Sequence, residues 1–273
     1  MFVTRLLSSV VLVILTLIAL LKGGYLLAAV LLFISVVAYH ELCKACAIHT
    51  KGQKINALEM VGYLGMIGYY AIVVFAKNQT VQLCSIMLMM IAFMFVYVFT
   101  FPKYQAAQVM GAFFNFAYAP VMFAFIYQTR ELDYGIYLVW MVFISSWISD
   151  TCAYLTGITI GKHKMTPKLS PKKSIEGAVG GVVGAALVGG LYGYFIVEQV
   201  VPGQSVTWLM VLISAIGAMV SQVGDLAASA IKRNYEIKDY GHLIPGHGGI
   251  MDRFDSVIFT APMVYTLAVW MLQ

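Results

Sequence analysis

The residues best suited to chemistry in this sequence crowd towards its C-terminal end. Asp225, Ser229 and Lys232 are spaced four and three apart, so on a helix they share one face. Arg233, Lys238, Asp239, His247, Gly248, Gly249, Asp252, Arg253 and Asp255 follow closely. Asp252 and Asp255 are three apart at the head of an apolar run and also fall on one helical face. Carboxylates at this density suit Mg2+, a hard cation held by one or two acids while water and substrate phosphates complete its shell. Bases interleaved with the acids would clamp phosphate oxygens. Gly246, Gly248 and Gly249 around His247 would let backbone N–H groups approach an anion. The bland reading of Asp225, a self-neutralising pair with Lys232, is weakened by the acids and bases that follow it. Asp150, in Ser149-Asp150-Thr151-Cys152-Ala153-Tyr154, is a second ionisable group inside an apolar run. Such groups are costly in a bilayer and mark functional positions.

The elements that must position these residues are membrane helices. Hydrophobic residues make up 61% of the 273 residues and charged residues 11%. A soluble domain carries roughly a quarter charged residues. Apolar runs near 4–21, 24–40, 57–76, 82–100, 108–128, 135–158, 175–196, 206–231 and 255–273 are about as long as a bilayer-spanning helix. The fold class expected is therefore all-α, a polytopic bundle of nine spans. The first run has Arg5 before it and no small-residue cleavage site after it, which reads as a retained helix.

Orientation follows from the bases. With the N-terminus inside, the cytoplasmic side holds Arg5, Lys44, Lys51, Lys54, Lys103, Lys162, Lys164, Lys168, Lys172, Lys173, Lys232, Arg233, Lys238 and Arg253. The other side holds only Lys22, Lys77 and Arg130. Fourteen against three places the polar loops in the cytoplasm and the C-terminus outside. The net charge of +5 then faces anionic lipid headgroups. Nucleic acid is excluded as a partner, because no soluble basic domain presents that charge. The compact termini favour a bacterial plasma membrane.

Residues 1–130 read as a transmembrane scaffold and 131–273 as the catalytic region of one integrated membrane domain. In the scaffold, His40, Glu41 and Glu59 read as interfacial polar residues. Cys43, Cys46 and His49 supply three ligands at most, too few for a structural zinc site; with Cys84 and Cys152 the cysteines read as reduced. Residues 161–174, GKHKMTPKLSPKKS, form a basic loop too polar to span. Gly177/Gly181, Gly180/Gly184 and Gly189/Gly193 are each four apart, the spacing at which membrane helices approach closely. Packing inside the bundle is the expected use, with a homodimer face as the alternative.

The run Ser229-Ala230-Ile231-Lys232-Arg233, then Lys238-Asp239, then Ile244 through Asp255 (IPGHGGIMDRFD) resembles the signature of the phosphatidate cytidylyltransferases, or CDP-diacylglycerol synthases. Ser149–Tyr154 and Ser170–Gly177 resemble further stretches of that family, so the resemblance covers most of residues 145–256, and the N-terminal half matches only in being multi-span. Where family members often carry a base after the glycine at position 157, this chain has Ile158; where many have Thr, it has Ser174.

The resemblance implies CTP plus phosphatidate giving CDP-diacylglycerol and pyrophosphate, in phospholipid biosynthesis among membrane lipids. It implies catalytic roles for Asp225, Lys232, Asp252 and Asp255, and Mg2+ held by Asp225, Ser229, Asp252 and Asp255, with a second monovalent or divalent cation left open. Lys172, Lys173, Ser174, Arg233, Lys238, Asp239, His247, Gly248, Gly249 and Arg253 would bind the substrates, and Asp150 would support the site or touch a substrate. Two rivals stand beside it. A CTP-dependent lipid kinase, or a cytidylyltransferase for another lipid phosphate, differs by product. A cation-coupled transporter would use Asp150 and Asp225 as an ion path, yet leaves the Lys/Asp/His/Gly-Gly loop unexplained.

Overall fold

The computed structural model describes residues 14–49, 54–201, 205–241, 243 and 248–272. His247 and Gly246, and most of the first expected span, lie outside the described residues. Among them, eight helices are long and apolar enough to cross a membrane: α1 Gly24–Ala45, α2 Ala57–Ala76, α3 Gln79–Phe99, α4 Ala106–Arg130, α5 Gly135–Ile160, α6 Ile175–Val197, α7 Thr207–Asn234 and α8 Met251–Met271. Residues 14–22 form a further helical segment. The protein is an integral membrane protein, all-α apart from one small hairpin.

Local signals explain where the helices begin. Asn56 starts α2 by accepting from the Glu59 amide while the Glu59 carboxylate accepts from the Asn56 amide, a reciprocal capping box. Asn78 caps α3 through the Thr80 and Val81 amides. Ser174 caps α6 by accepting from the Gly177 amide. In α4 a π turn over Ala117–Val121 absorbs Pro120, which has no amide hydrogen to give to the helical ladder.

Two expectations are refined. The basic loop is a hairpin in its centre, β1 Lys164–Thr166 pairing antiparallel with β2 Ser170–Ser174, with Lys164 opposite Ser174 and Thr166 opposite Ser170. Both strands are edges, which is where Pro171 can sit without breaking a ladder. The last helix starts at Met251, four residues before the apolar run read from 255, so Asp252 and Arg253 lie in its first turn, where the paired-acid spacing sets Asp252.

The chain forms two compact units, Met1–Tyr127 with Asn234–Arg253, and Gln128–Arg233 with Phe254–Gln273. In the first, Tyr39, Leu42, Leu58, Met66, Phe93 and Phe116 make a fully buried core. Gly62 leaves the space that the Tyr39 ring fills; a β-carbon there would collide with it.

In the second unit, the glycine stripe is consumed by close helix packing. β-Carbons at Gly177 and Gly181 of α6 would come within 2.7 Å of the Ala153 carbonyl and 2.8 Å of the Ser149 carbonyl on α5. Further along α6, Gly189, Gly190 and Gly193 face Ser214, Val211 and Met210 of α7. Lipid offers no hydrophobic drive for helices to associate, so this van der Waals contact is what holds them together. Gly181→Val is expected to destabilise the folded protein by about 1–3 kcal/mol, the usual cost of overpacking; thermal unfolding in detergent measures it, and an unshifted transition would contradict the packing described.

Candidate active site

A cavity of about 460 Å3 opens in the second unit. Asp150 and Tyr154 of α5, Lys164 and Lys173 of the hairpin, Ser174 before α6, and Gln222 and Asp225 of α7 line it. Its charged end is built around Asp225. The Lys173 ammonium lies 2.5 Å from Asp225 Oδ2, and Ser229 Oγ donates to Asp225 Oδ1 at 3.5 Å, one turn along α7. The partner of Asp225 in this pair comes from β2, not from its own helix. Lys172 also lines the cavity.

The hairpin that delivers these lysines is pinned at its base. The Glu176 carboxylate accepts from the Lys162 amide at 3.1 Å, the His163 amide at 3.2 Å and His163 Nδ1 at 2.6 Å. A carboxylate in the first turn of α6 also suits the positive end of the helix dipole. On α5, Asp150 Oδ2 accepts from Ser256 Oγ of α8 at 3.2 Å. Gln222 Nε2 donates to the Ala178 carbonyl at 2.9 Å and to Ser149 Oγ at 3.4 Å, tying α7 to α6 and α5 one turn before Asp225.

Asp255 joins this group because α7 and α8 cross at Gly224, where a β-carbon would lie 2.8 Å from the Asp255 carbonyl. The charged neighbours of Asp255 are Asp225, Lys232 and Asp150. Three carboxylates, Asp150, Asp225 and Asp255, thus share a region with two ammonium groups, Lys173 and Lys232. With Lys164 and Lys172 also lining the cavity, the site combines hard carboxylate oxygens that suit Mg2+ with bases that suit phosphate. Among the described residues no three His, Cys, Asp or Glu form a ready-made metal cage. That is compatible with a Mg2+ completed by water and substrate phosphates.

The other half of the signature lies in the first unit. Asp252 Oδ2 accepts from the Tyr240 amide at 2.8 Å and the Gly249 amide at 3.0 Å. Glu41 of α1 accepts from the Ile250 amide at 3.1 Å and the Met251 amide at 2.9 Å. Gly248 has φ +86°, and a β-carbon there would lie 2.9 Å from Asp252 Oδ2, a conformation and a clearance that only glycine meets at low cost. The glycine pair, read from the sequence as an anion cradle, clears the Asp252 and Glu41 carboxylates in the structure. Arg233, Lys238 and Arg253 are exposed, and Asp239 is half-buried.

Sequence reasoning passed over several of these residues. Gln222 could have been found, since it precedes Asp225 by three positions on the same helical face. Lys164 and Ser256 come into place only through the strand pairing and the α5–α8 contact. Glu41 carried one signal, a carboxylate inside the end of an apolar run, and that signal is equally consistent with an interfacial residue.

Carboxylates and lysines gathered into a cavity among membrane helices define an integral membrane enzyme built to handle anionic groups. The sequence matches the Cytidylyltransferase family over residues 3–271. The phosphatidate cytidylyltransferase of Staphylococcus saprophyticus is 30% identical over 276 residues, covering 97% of this chain and 98% of that protein. The Staphylococcus aureus protein of the same name has the same identity and coverage, and that of Staphylococcus epidermidis is 29% identical over 272 residues. The chain belongs to the cytidylyltransferase family, and it is a nucleotidyltransferase. The likeness also reaches the N-terminal half, beyond the shared multi-span character expected of it.

Glu176→Ala is expected to free the hairpin base. Trypsin should then cut after Lys162, Lys164, Lys168, Lys172 or Lys173 at least several-fold faster in the folded protein, as mass spectrometry of the early fragments would show; an unchanged pattern would remove Glu176 from its pinning role.

Proposed function

We propose that this chain transfers CMP from CTP to phosphatidate, yielding CDP-diacylglycerol and pyrophosphate. The observation that carries this reading is the second-unit cavity. It sets Lys164, Lys172 and Lys173 beside Asp150 and Asp225, with Tyr154, Ile158 and Met165 as its less polar wall. Its volume of about 460 Å3 lies in the range of small-molecule sites. Relatives of near-identical length bear the name of that activity.

In this reaction a phosphate oxygen of phosphatidate attacks the α-phosphorus of CTP. A new P–O bond forms, the bond from the α-phosphorus to the bridging oxygen breaks, and pyrophosphate departs with the electron pair. An ionised phosphate monoester needs no proton removed, so the chain's task is to bring two polyanions together and hold them in line. Lys164, Lys172 and Lys173 neutralise phosphate oxygens in the cavity, and Lys232 and Arg233 extend that positive charge along α7. Ser174 orders the N-terminus of α6 by accepting from the Gly177 amide, and both residues line the cavity.

Mg2+ would be held by Asp225 and Asp255, with Ser229 supporting Asp225 and Asp150 behind them; when bound it supplies charge neutralisation to the triphosphate. Asp252, one turn before Asp255, belongs to the same helix start and orders the Gly-rich loop. The excess of bases on the predicted cytoplasmic side supports a cavity that opens to that face of the membrane.

Reconstituted protein supplied with CTP, phosphatidate and Mg2+ is expected to release pyrophosphate in step with CDP-diacylglycerol, and chelation should stop it. Label from the α-phosphate should appear on the lipid, whereas γ-label on the lipid would signify a kinase. Asp225→Asn is expected to lower kcat by about 100-fold or more, the scale on which electrostatic groups at transferring centres act. A variant turning over near the parent rate would sink the assignment of Asp225.

A further inference from the structure

Glu41 stands in the first unit, in the half of the chain that otherwise reads as scaffold, yet its carboxylate is only 5% exposed. Burying a charged acid is costly unless it is hydrogen-bonded. Its two oxygens accept separately from the amides of Ile250 and Met251, partners 209 and 210 residues away. These are among the first amides of α8, the orphan donors that every helix start must satisfy. The residues just before α8, Gly248, Gly249 and Ile250, have no side-chain acceptor of their own to serve as a cap. α8 is capped from α1 instead.

The socket around this carboxylate is shaped for it. β-Carbons at Gly241 and at Gly249 would each collide with the Glu41 carboxylate. Gly249 has ordinary backbone geometry, since its φ is not among the positive ones; the constraint there is space, not conformation. The Gly249 amide is in turn held by Asp252 Oδ2, together with that of Tyr240. Glu41 and Asp252 therefore grip consecutive amides, Gly249, Ile250 and Met251, from two sides. Whatever fixes these three amides fixes where α8 begins, and so the station of Asp252, Arg253 and Asp255 along it.

We propose that Glu41 is a positioning residue for the transfer reaction, acting through the start of α8 rather than on a substrate. The inference rests on the function proposed above. A helix start displaced by about 1 Å can cost on the order of 100-fold in rate. Loss of Glu41 is therefore expected to fall more on kcat than on KM for CTP, which Lys164, Lys172 and Lys173 also support.

Three measurements on the full-length protein in lipid test this. Glu41→Gln keeps the shape and removes one acceptor and the charge. It is expected to lose about 10- to 100-fold in kcat, the usual effect of removing a group that orients a ligating residue, with KM for CTP little changed. Hydrogen exchange in the peptide containing the Ile250 and Met251 amides should accelerate by about tenfold or more, reporting local opening, without faster exchange across α5 to α7.

Gly249→Ala, whose methyl meets the carboxylate, should also be impaired. Adding Glu41→Asp, which retracts that carboxylate, should make the double variant more active than Gly249→Ala alone. Such rescue reports the contact between the two positions, and the fall in kcat with exchange confined to the start of α8 separates positioning from bulk stability. Parent-like kcat and unchanged exchange in Glu41→Gln, or strictly additive losses in the double variant, would overturn the proposal. If the parent protein itself released no pyrophosphate, the proposed function would fall and the kinetic claim with it, while the exchange data would still decide whether Glu41 holds the helix start.

Discussion

A carboxylate carried into a membrane protein must be given a partner, because the hydrocarbon supplies neither water nor counter-ion. Each acid met so far answers that demand in a different currency. Glu59 is shared between His49, at 2.9 Å, and the Asn56 amide. Glu41 and Asp252 are satisfied by backbone amides, Glu176 by a hairpin base, Asp225 by a lysine and Asp150 by a hydroxyl. The arrangement divides the acids by chemistry. Glu41, Asp252 and Glu176 hold backbone amides and so help to fix the shape of the chain. Asp150 and Asp225 line the cavity and are partnered by an ammonium and serine hydroxyls, while Asp255, their neighbour, accepts from the Ser256 amide at 2.9 Å.

The glycines are the complement of this rule. Where a carboxylate has to meet backbone amides, the intervening side chains must be absent, as at Gly241, Gly248 and Gly249. Where apolar membrane helices have to close on one another without hydrophobic drive, the same absence allows contact at carbonyl distance, as at Gly177 and Gly181. Gly224 serves both ends at once. By letting α7 approach the α8 backbone, it brings Asp225 and Asp255 into one electrostatic neighbourhood.

Much of this was legible in the sequence and some was not, for physical reasons. Runs of Leu, Val, Ile and Phe declare membrane helices because the period of exposure to lipid needs no polar face, so eight spans fall close to where hydropathy sets them. Asp150 and Asp225 stood out in the sequence from their cost in an apolar setting, and Asp255 from its spacing to Asp252, whereas Lys173 was visible only as one base of a polar loop. The pairing of Lys173 with Asp225 did not follow, since it depends on a hairpin of only three and five residues, whose strands are too short to print an alternating pattern. Lys232, four and three residues along the same face, was the visible competitor. The cap from Glu41 to α8 was equally hidden: it is a contact across more than two hundred residues, and no local pattern in either segment encodes the other.

The length of α7 has one more consequence. Its 28 residues rise about 42 Å, against a hydrocarbon core of about 30 Å. Were its Thr207 end at one interface and its tilt small, the last eight or so residues would emerge into the headgroup layer, and Asp225 would stand close to the level where acyl chains give way to phosphate. A phospholipid lying in that leaflet then presents its phosphate at the depth of the acids while its tails stay in oil. Bilayer thickness becomes a built-in ruler: lipids that thin or thicken the membrane would shift the headgroup plane past Asp225, so the composition this enzyme family helps to create would feed back on the depth at which its members work.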